Sequence, residues 1–509
     1  MRHTLAYAGT HLCQNGRLMS DATQYGLKIH QATALPRGKS VSCSSINLVS
    51  GVRRLSHTDG AASTNRTDED AKSHHKPFED HRSTKLQPLA MLPLSMIIRS
   101  LATSTFSSSA KLLSISLYVL RTLAYSDSRF LDPDRNTGLR FILNKCLYDQ
   151  FCAGEDADEV AASIANLKHI GFTGAILAYA KETPSEPADK EGSPLLKRPG
   201  GTNKKADREI SNWFEGSLET VRLATAGDFV ALKLTGAGSL AYEQLAQGLP
   251  PGPYLTYAIN QVCDCARERG VRVLIDGEHD ELQNSIDSWT MQLARKYNTI
   301  PGKAVIFGTY QAYKKSMPQT LASHLAEALD GGFTLGVKLV RGAYLHSDPP
   351  GRLHASKPDT DACYDATAAS VLTRSWNETL QGNGDYPETS IMFATHNAAS
   401  VRKAYAIYAS GRAKSEVLFA QLQGMADEIS CELVHLNTSE SPAQTATPAV
   451  ACLPVYKYMA WGTRGECMKY LLRRAEENRD AVVRTREDRS AMWTELVRRA
   501  KGMLLTTYR

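Results

Sequence analysis

The sequence has no paired CxxC elements: its ten cysteines are scattered, with only Cys263 and Cys265 close together. Such spacing builds neither a structural zinc site nor a secreted disulfide framework, so the chain reads as a globular protein of a reducing compartment with no metal site. No GxGxxG joins a strand to a helix, and there is no P-loop and no HExxH. Those absences exclude the Rossmann dinucleotide site, the phosphate cradle of NTPases and the zinc-protease helix. Charge of one sign is in short supply too: 59 basic against 53 acidic residues give a net +6. A protein that reads nucleic acid through a dense basic face carries more than that. Long apolar runs are also missing. The best uncharged stretch, 112–120, is shorter than the roughly 20 residues a bilayer-spanning helix requires, and Lys111 and Arg121 bracket it. A helical packing arm, or an amphipathic surface helix touching a membrane, fits residues 88–123 better.

What is present is enough for a large core. Of 509 residues, 42% are hydrophobic and 22% charged, the profile of two or three domains or of one barrel with appendages. Residues 1–59 carry Arg2, Arg17, Lys28, Arg37, Lys39, Arg53 and Arg54 against only Asp21 and Asp59, with abundant Ser and Thr. That acid-poor, basic composition is the profile of an organelle transit peptide. The expected organisation is a transit peptide over 1–60, a polar linker over 61–90, a helical arm over 91–170, a barrel over 171–499 and a tail over 500–509. Residues 181–209, rich in Pro, Gly, Lys and Glu, read as a mobile insertion, and 436–449 as a Ser/Thr/Pro-rich break.

From Gly171 onward short apolar runs alternate with longer amphipathic ones, the rhythm of repeated β-α units. Eight strands are predicted: GAILAYA from Gly174, DFVALKLT from Asp228, VRVLIDGE from Val271 and AVIFGTY from Ala304, then TLGVKLVRG from Thr334, SIMFATHN from Ser390, EVLFAQLQG from Glu416 and VYKYMAW from Val455. Eight parallel strands with intervening helices make a closed α/β barrel of the TIM type. Six of them end in reactive or hydrogen-bonding residues: Lys233, Asp276 with Glu278, Tyr310 with Gln311, Arg341, His396 with Asn397, and Gln423. In such barrels the C-terminal strand ends build the active site.

In the last unit, Thr463 and Glu466 have the spacing of a capping box ahead of a helix. Arg473 and Arg474 follow about two turns in, with Glu477 just beyond. By themselves they are more readily a solvated ion-pair cluster than a carboxylate clamp. They do not occur by themselves. LIDGE at 274–278, KLVRGAY at 338–344, FATHN at 393–397 and YLLRRAEEN at 470–478 occur in that order at barrel spacing. This combination resembles proline dehydrogenase (proline oxidase) of the mitochondrial eukaryotic type, over about 171–499.

The resemblance implies a distorted eight-fold β/α barrel, non-covalent FAD, and oxidation of L-proline to Δ1-pyrroline-5-carboxylate, the first step of proline catabolism. It implies membrane quinone as electron acceptor and peripheral association with the matrix face of the inner mitochondrial membrane. Matched by motif, Asp276 and Lys338 take catalytic positions, and Lys338 also lies by the flavin. Arg341, Gly342 and Ala343, with Gln311, Thr395, His396 and Glu477, take flavin-contacting positions. Arg473 and Arg474 take the substrate carboxylate, with Lys233 and Tyr458 closing over the ring as binding and catalytic residues. From the residues alone two other classes remain open: a barrel lyase or aldolase using Lys233 or Lys338 as a Schiff-base nucleophile, and a membrane-surface barrel without catalysis.

Overall fold

Strand residues that are apolar on both faces must be covered on both faces, which a closed barrel inside a ring of helices achieves. The computed structural model describes residues 87–126, 128–180, 204–345, 347–439, 452–480 and 482–507. All eight predicted strands are there: β1 (Gly174–Tyr179), β2 (Phe229–Leu232), β3 (Arg272–Ile275), β4 (Ile306–Gln311), β5 (Leu335–Val340), β6 (Thr389–Ala394), β7 (Glu416–Leu422) and β8 (Val455–Trp461). Each pairs in parallel with its sequence neighbour, and β8 closes on β1 from Gly174↔Tyr456 to Tyr179↔Trp461. The chain is a TIM-like α/β barrel.

Among the described residues, five α-helices precede the barrel: α1 (Leu94–Ser107), α2 (Ala110–Tyr125), α3 (Thr137–Leu143), the single turn α4 (Asp149–Phe151) and α5 (Ala157–Ile170). Between strands run α6 (Lys204–Leu223), α7 (Ser239–Ala246), α8 (Pro253–Glu268), α9 (Asp280–Tyr297), α10 (Met317–Gly331), α11 (Lys357–Thr373), α12 (Ala398–Ala409) and α13 (Asp427–Ser439). After β8 come α14 (Arg464–Asp480) and α15 (Val482–Thr507).

Side chains alternate along a strand, so each strand serves two cores. One parity, including Val230, Val273, Val337, Ile391 and Val417, packs outward on the helices. The other fills the interior with Ile176, Phe229, Leu274, Phe307, Met392, Leu418 and Tyr456. Phe229 meets Phe307 and Tyr456 edge-on, at centroid distances of 5.6 and 5.0 Å. At the N-terminal end of the strands, Arg272 stacks over Phe229 and donates to both carboxylate oxygens of Glu416 at 2.9 and 2.6 Å. The interior is therefore closed at that end, and the inward residues left to form a site lie at the other.

The arm is tied to the barrel by a buried charge. Lys457, on the outward parity of β8, donates to Asp427 Oδ1 (2.7 Å) and to the Met425 carbonyl (3.2 Å). Ser100 of α1 donates to the other Asp427 oxygen at 3.2 Å, and Gln150 donates to the Ser100 hydroxyl at 2.8 Å. Every oxygen of the pair has a donor, the condition under which a buried ion pair is tolerated.

Three sequence-based limits shift. Residues 204–209, read as insertion, are the first turns of α6, where the Glu209 carboxylate accepts the Ser239 N–H (2.8 Å) and hydroxyl (2.7 Å). Residues 436–439 complete α13, and 500–507 complete α15. Charged residues suit an exposed helical face as well as a loop, so composition alone does not separate them. Residues 1–86, 181–203 and 440–451 lie outside the described residues, and with them the transit peptide, most of the linker and the body of both breaks.

Candidate active site

Two-residue periodicity carries the polar site upward from the apolar plug: Phe229 and Ala231 lead to Lys233, Arg272 and Leu274 to Asp276, and Tyr456 to Tyr458. At the centre lies Asp276. Its Oδ1 accepts from the Lys338 ammonium at 2.6 Å, and its Oδ2 accepts from the Tyr458 hydroxyl at 3.0 Å. The same ammonium lies 5.7 Å from the centre of the Tyr458 ring. Burial by itself would raise the Asp276 carboxyl, but Lys338 and then Lys233 outweigh it and hold it below its ordinary value. Tyr458 is pushed well up by burial and by the Asp276 carboxylate, with the Arg474 guanidinium opposing. Lys338, Asp276, Tyr458, Lys233 and Arg474 thus share one electrostatic site.

Arg473 and Arg474 sit on α14, whose start is the predicted capping box: Glu466 accepts the Thr463 N–H at 3.0 Å, and Thr463 accepts the Glu466 N–H at 3.3 Å. The Arg474 guanidinium stacks 5.1 Å from the centre of the Tyr470 ring. Both arginines are half-buried. The side chain of Glu477 lies outside the described residues.

A second group forms on β4 to β7. Gln311 donates to the Glu278 carbonyl (3.4 Å) and accepts the Ala343 N–H (3.3 Å), so it bridges the β3 and β5 loops. Arg341 donates to Asp361 (3.0 Å), Thr395 Oγ1 (2.6 Å) and Ser400 Oγ (2.8 Å), and lies 4.4 Å from the centre of the Tyr364 ring. His396 Nε2 accepts the Leu422 N–H at 3.1 Å. Gly342 has φ +150°, and a Cβ there would fall 2.4 Å from the Tyr313 ring. The requirement for glycine therefore comes from packing within the protein, whatever approaches from outside.

Two of the strand-end residues do other work. Tyr310, of outward parity, places its hydroxyl 2.9 Å from His324 Nδ1 of α10. Asn397 caps α12 by accepting the Ser400 N–H at 3.1 Å. Gln423, at the end of β7, has a buried Oε1 with no hydrogen-bond partner among the described residues.

These strand-end residues lie within one family match. A family model, Proline dehydrogenase, matches residues 160–487, more than half of the chain. The chain belongs to the proline dehydrogenase family. Among curated relatives, a Schizosaccharomyces pombe protein named "Probable proline dehydrogenase, mitochondrial" is 28% identical over 403 residues, covering 69% of this chain and 79% of that protein. Hydroxyproline dehydrogenase of Bos taurus is 28% identical over 400 residues, covering 71% and 82%. Mitochondrial proline dehydrogenase 1 of Homo sapiens is 33% identical over 240 residues, covering 46% and 37%. Among solved structures, proline utilization A of Bdellovibrio bacteriovorus inactivated by N-propargylglycine superposes with a TM-score of 0.54 at 17% identity, covering 76% of this chain and 38% of that longer one. That likeness is one of fold.

Within this proline dehydrogenase barrel, Asp348 and His279 carried no sequence signal, while Glu278 and Tyr344 lay in the LIDGE and KLVRGAY motifs without a role of their own. Glu278 is buried and accepts the Thr235 N–H (3.2 Å) and hydroxyl, fixing the turn after Lys233; burial still raises its carboxyl above the ordinary value. Asp348 is buried, accepting the Tyr313 hydroxyl at 2.5 Å and the Asp280 N–H at 3.2 Å. The His279 and Tyr344 rings lie 4.4 Å apart. Together they pin the loop after Arg341 to the loop after Asp276. Only the inward parity of Asp276 and Glu278 hinted at this.

Proposed function

We propose that this chain is an FAD-dependent proline dehydrogenase that oxidises L-proline to Δ1-pyrroline-5-carboxylate and passes the electrons to a membrane quinone. The observation that carries the reading is the Lys338–Asp276–Tyr458 cluster at the open end of the barrel, with Arg474 in its field. Bound FAD would supply the two-electron acceptance that no side chain offers. The residues present fit such a group: Lys338 is a buried cation on the inward face of β5, three residues before the segment Arg341–Ala343. Gln311, Arg341, Gly342, Ala343, Thr395, His396 and Glu477 would hold it, several of them braced by the protein bonds described above.

The substrate's strongest handle is its carboxylate. Arg473 and Arg474 grip it, and Lys233 adds a third cation, fixing the ring in orientation. The same cations disfavour the ammonium form of the amine and so favour the neutral form that can be oxidised. Asp276 is held ionised and has a donor on each oxygen, so it organises Lys338 and Tyr458 and does not take the proton. Tyr458 then presents its ring to the substrate from a fixed hydroxyl.

Purified full-length protein should be yellow, release its flavin on acid precipitation, and bleach on anaerobic addition of L-proline, with trans-4-hydroxy-L-proline run in parallel. A colourless protein that borohydride traps with a carbonyl substrate at Lys233 or Lys338 would instead mean Schiff-base chemistry. The relatives named mitochondrial and the basic 1–59 segment support a mitochondrial address, at the matrix face of the inner membrane where quinone is reached. A reporter carrying residues 1–59 that stays cytosolic would remove that part.

A further inference from the structure

Asp276 and Glu278 follow β3 two residues apart and turn to the same inward side. They serve different neighbours. Asp276 takes Lys338 and Tyr458. Glu278, only 4% exposed, turns toward β2, where its two carboxylate oxygens accept the N–H and the hydroxyl of Thr235. Thr235 opens the 3-10 turn Thr235–Ala237, two residues beyond Lys233. From the other side, the indole N–H of Trp213 on α6 donates to the Lys233 carbonyl at 3.1 Å. The backbone that carries Lys233 is therefore held before and after its side chain.

Glu278 is itself fixed. Its N–H donates to Gln283 Oε1 at 3.0 Å, and Gln283 donates in turn to Asp287 at 2.7 Å along α9. Its carbonyl accepts from Gln311 of β4 at 3.4 Å. Gly277 lets the segment run this close to β4, since a Cβ there would fall 3.1 Å from Thr309 Cγ2 and 3.3 Å from Gln311 Nε2. A carboxylate so far from water is tolerated because each oxygen has a donor and the Lys233 ammonium opposes the effect of burial, as it does at Asp276.

We propose that Glu278 is a positioning residue for substrate binding: through Thr235 it aims Lys233 at the carboxylate of L-proline. The proposal rests on the assignment of Lys233 to the substrate and deepens it. A lysine ammonium rides on a flexible four-carbon stem, so the backbone from which it hangs decides where it can reach. Both oxygens of Glu278 face Thr235, so Glu278 acts through that turn and not on the substrate itself. The two carboxylates thereby divide the pocket, Asp276 setting Lys338 and Tyr458 while Glu278 sets Lys233.

The test is a double-mutant cycle on the KM for L-proline, measured with a soluble dye on full-length protein whose folding is checked by thermal unfolding. Glu278→Ala should raise KM about ten-fold when Lys233 is present and change it less than about two-fold in a Lys233→Ala background. Glu278→Gln should stay within about three-fold of wild type, because an amide can still accept the Thr235 N–H and donate to its hydroxyl. Thr235→Val, which removes only the hydroxyl bond, should raise KM about three-fold with the same dependence on Lys233, and it carries the cycle if Glu278→Ala does not fold. Independent effects of Glu278→Ala and Lys233→Ala, multiplying in KM, would overturn the proposal and leave Lys233 in the substrate site. A Glu278→Gln variant as poor as Glu278→Ala would overturn it too, since charge and not the bonds to Thr235 would then matter. A wild type that does not oxidise L-proline, or a Lys233→Ala protein with the wild-type KM, would count against the dehydrogenase reading and remove the proposal with it.

Discussion

Lys338 and Asp276 stand 62 residues apart in sequence, yet their ammonium and carboxylate meet at 2.6 Å inside the barrel. Neither charge has an equivalent partner in water, because both side chains are about nine-tenths removed from it. Asp276 also orients Tyr458, so one carboxylate sets two groups of the proposed substrate pocket.

Asp276→Asn keeps the shape and removes the charge, leaving the Lys338 ammonium buried beside an amide. Losing a charge-assisted bond of this kind costs about 1.5–3 kcal/mol. Steady-state kcat/KM with L-proline and a soluble dye should fall about ten- to a hundred-fold. Because Asp276 is held below the ordinary carboxylate range, its contribution to stability is present above that range and is lost as pH falls through the lowered value.

Arg473→Ala or Arg474→Ala should raise the KM for L-proline by about one to two orders of magnitude. Bound flavin per polypeptide, read from the visible spectrum, should stay near the wild-type value. Variants that lose flavin and keep KM would move the arginines from the substrate to the cofactor.

Lys457→Met tests the tie between arm and barrel. It strands the Asp427 carboxylate in the interior, where breaking one side of a buried pair costs about 3–5 kcal/mol. Thermal unfolding should show a large loss of stability, and adding Asp427→Leu should restore most of it. A single variant as stable as wild type would show that the pair is wetter than its burial indicates.

His324 sets a pH dependence of stability. Burial pushes its imidazole from 6.5 down to about 4, beside the Tyr310 hydroxyl. The unfolded chain takes up the proton near 6.5 and the folded chain only near 4, so this contribution is whole above 6.5 and is lost as pH falls to 4. The loss is about 3 kcal/mol. Denaturant unfolding between those pH values should show a shallower acid loss for His324→Gln than for wild type. Asp287, raised by burial to about 6, works in the opposite direction and is common to both proteins.

The eight strands were legible because their apolar runs are short, bounded by turns and separated by helical periodicity. The capping box was legible because it is local, its two ends only three positions apart. Tyr310 and Asn397 misled because a polar residue at a strand end has two faces available. Counting in twos from Phe307 places Gln311 inward and Tyr310 outward, a signal present in the sequence once the inward parity is known. The start of α6 was misread because its charged residues are as compatible with a loop as with an exposed helical face.

By itself, then, the sequence determined the order and number of the β-α units, the chemical identity of the residues at the strand ends, and the helix that carries Arg473 and Arg474. These depend on periodicity and on neighbours a few residues away. Only the tertiary structure decided which charges meet. Tyr458 reaches Asp276 across 182 residues, Arg341 is held by Asp361, Thr395 and Ser400, and Lys457 is paired outward with Asp427 while its neighbour Tyr458 turns inward. Barrel closure brings these groups together by fixing strand register, and register is a property of the whole sheet that no local stretch of residues encodes.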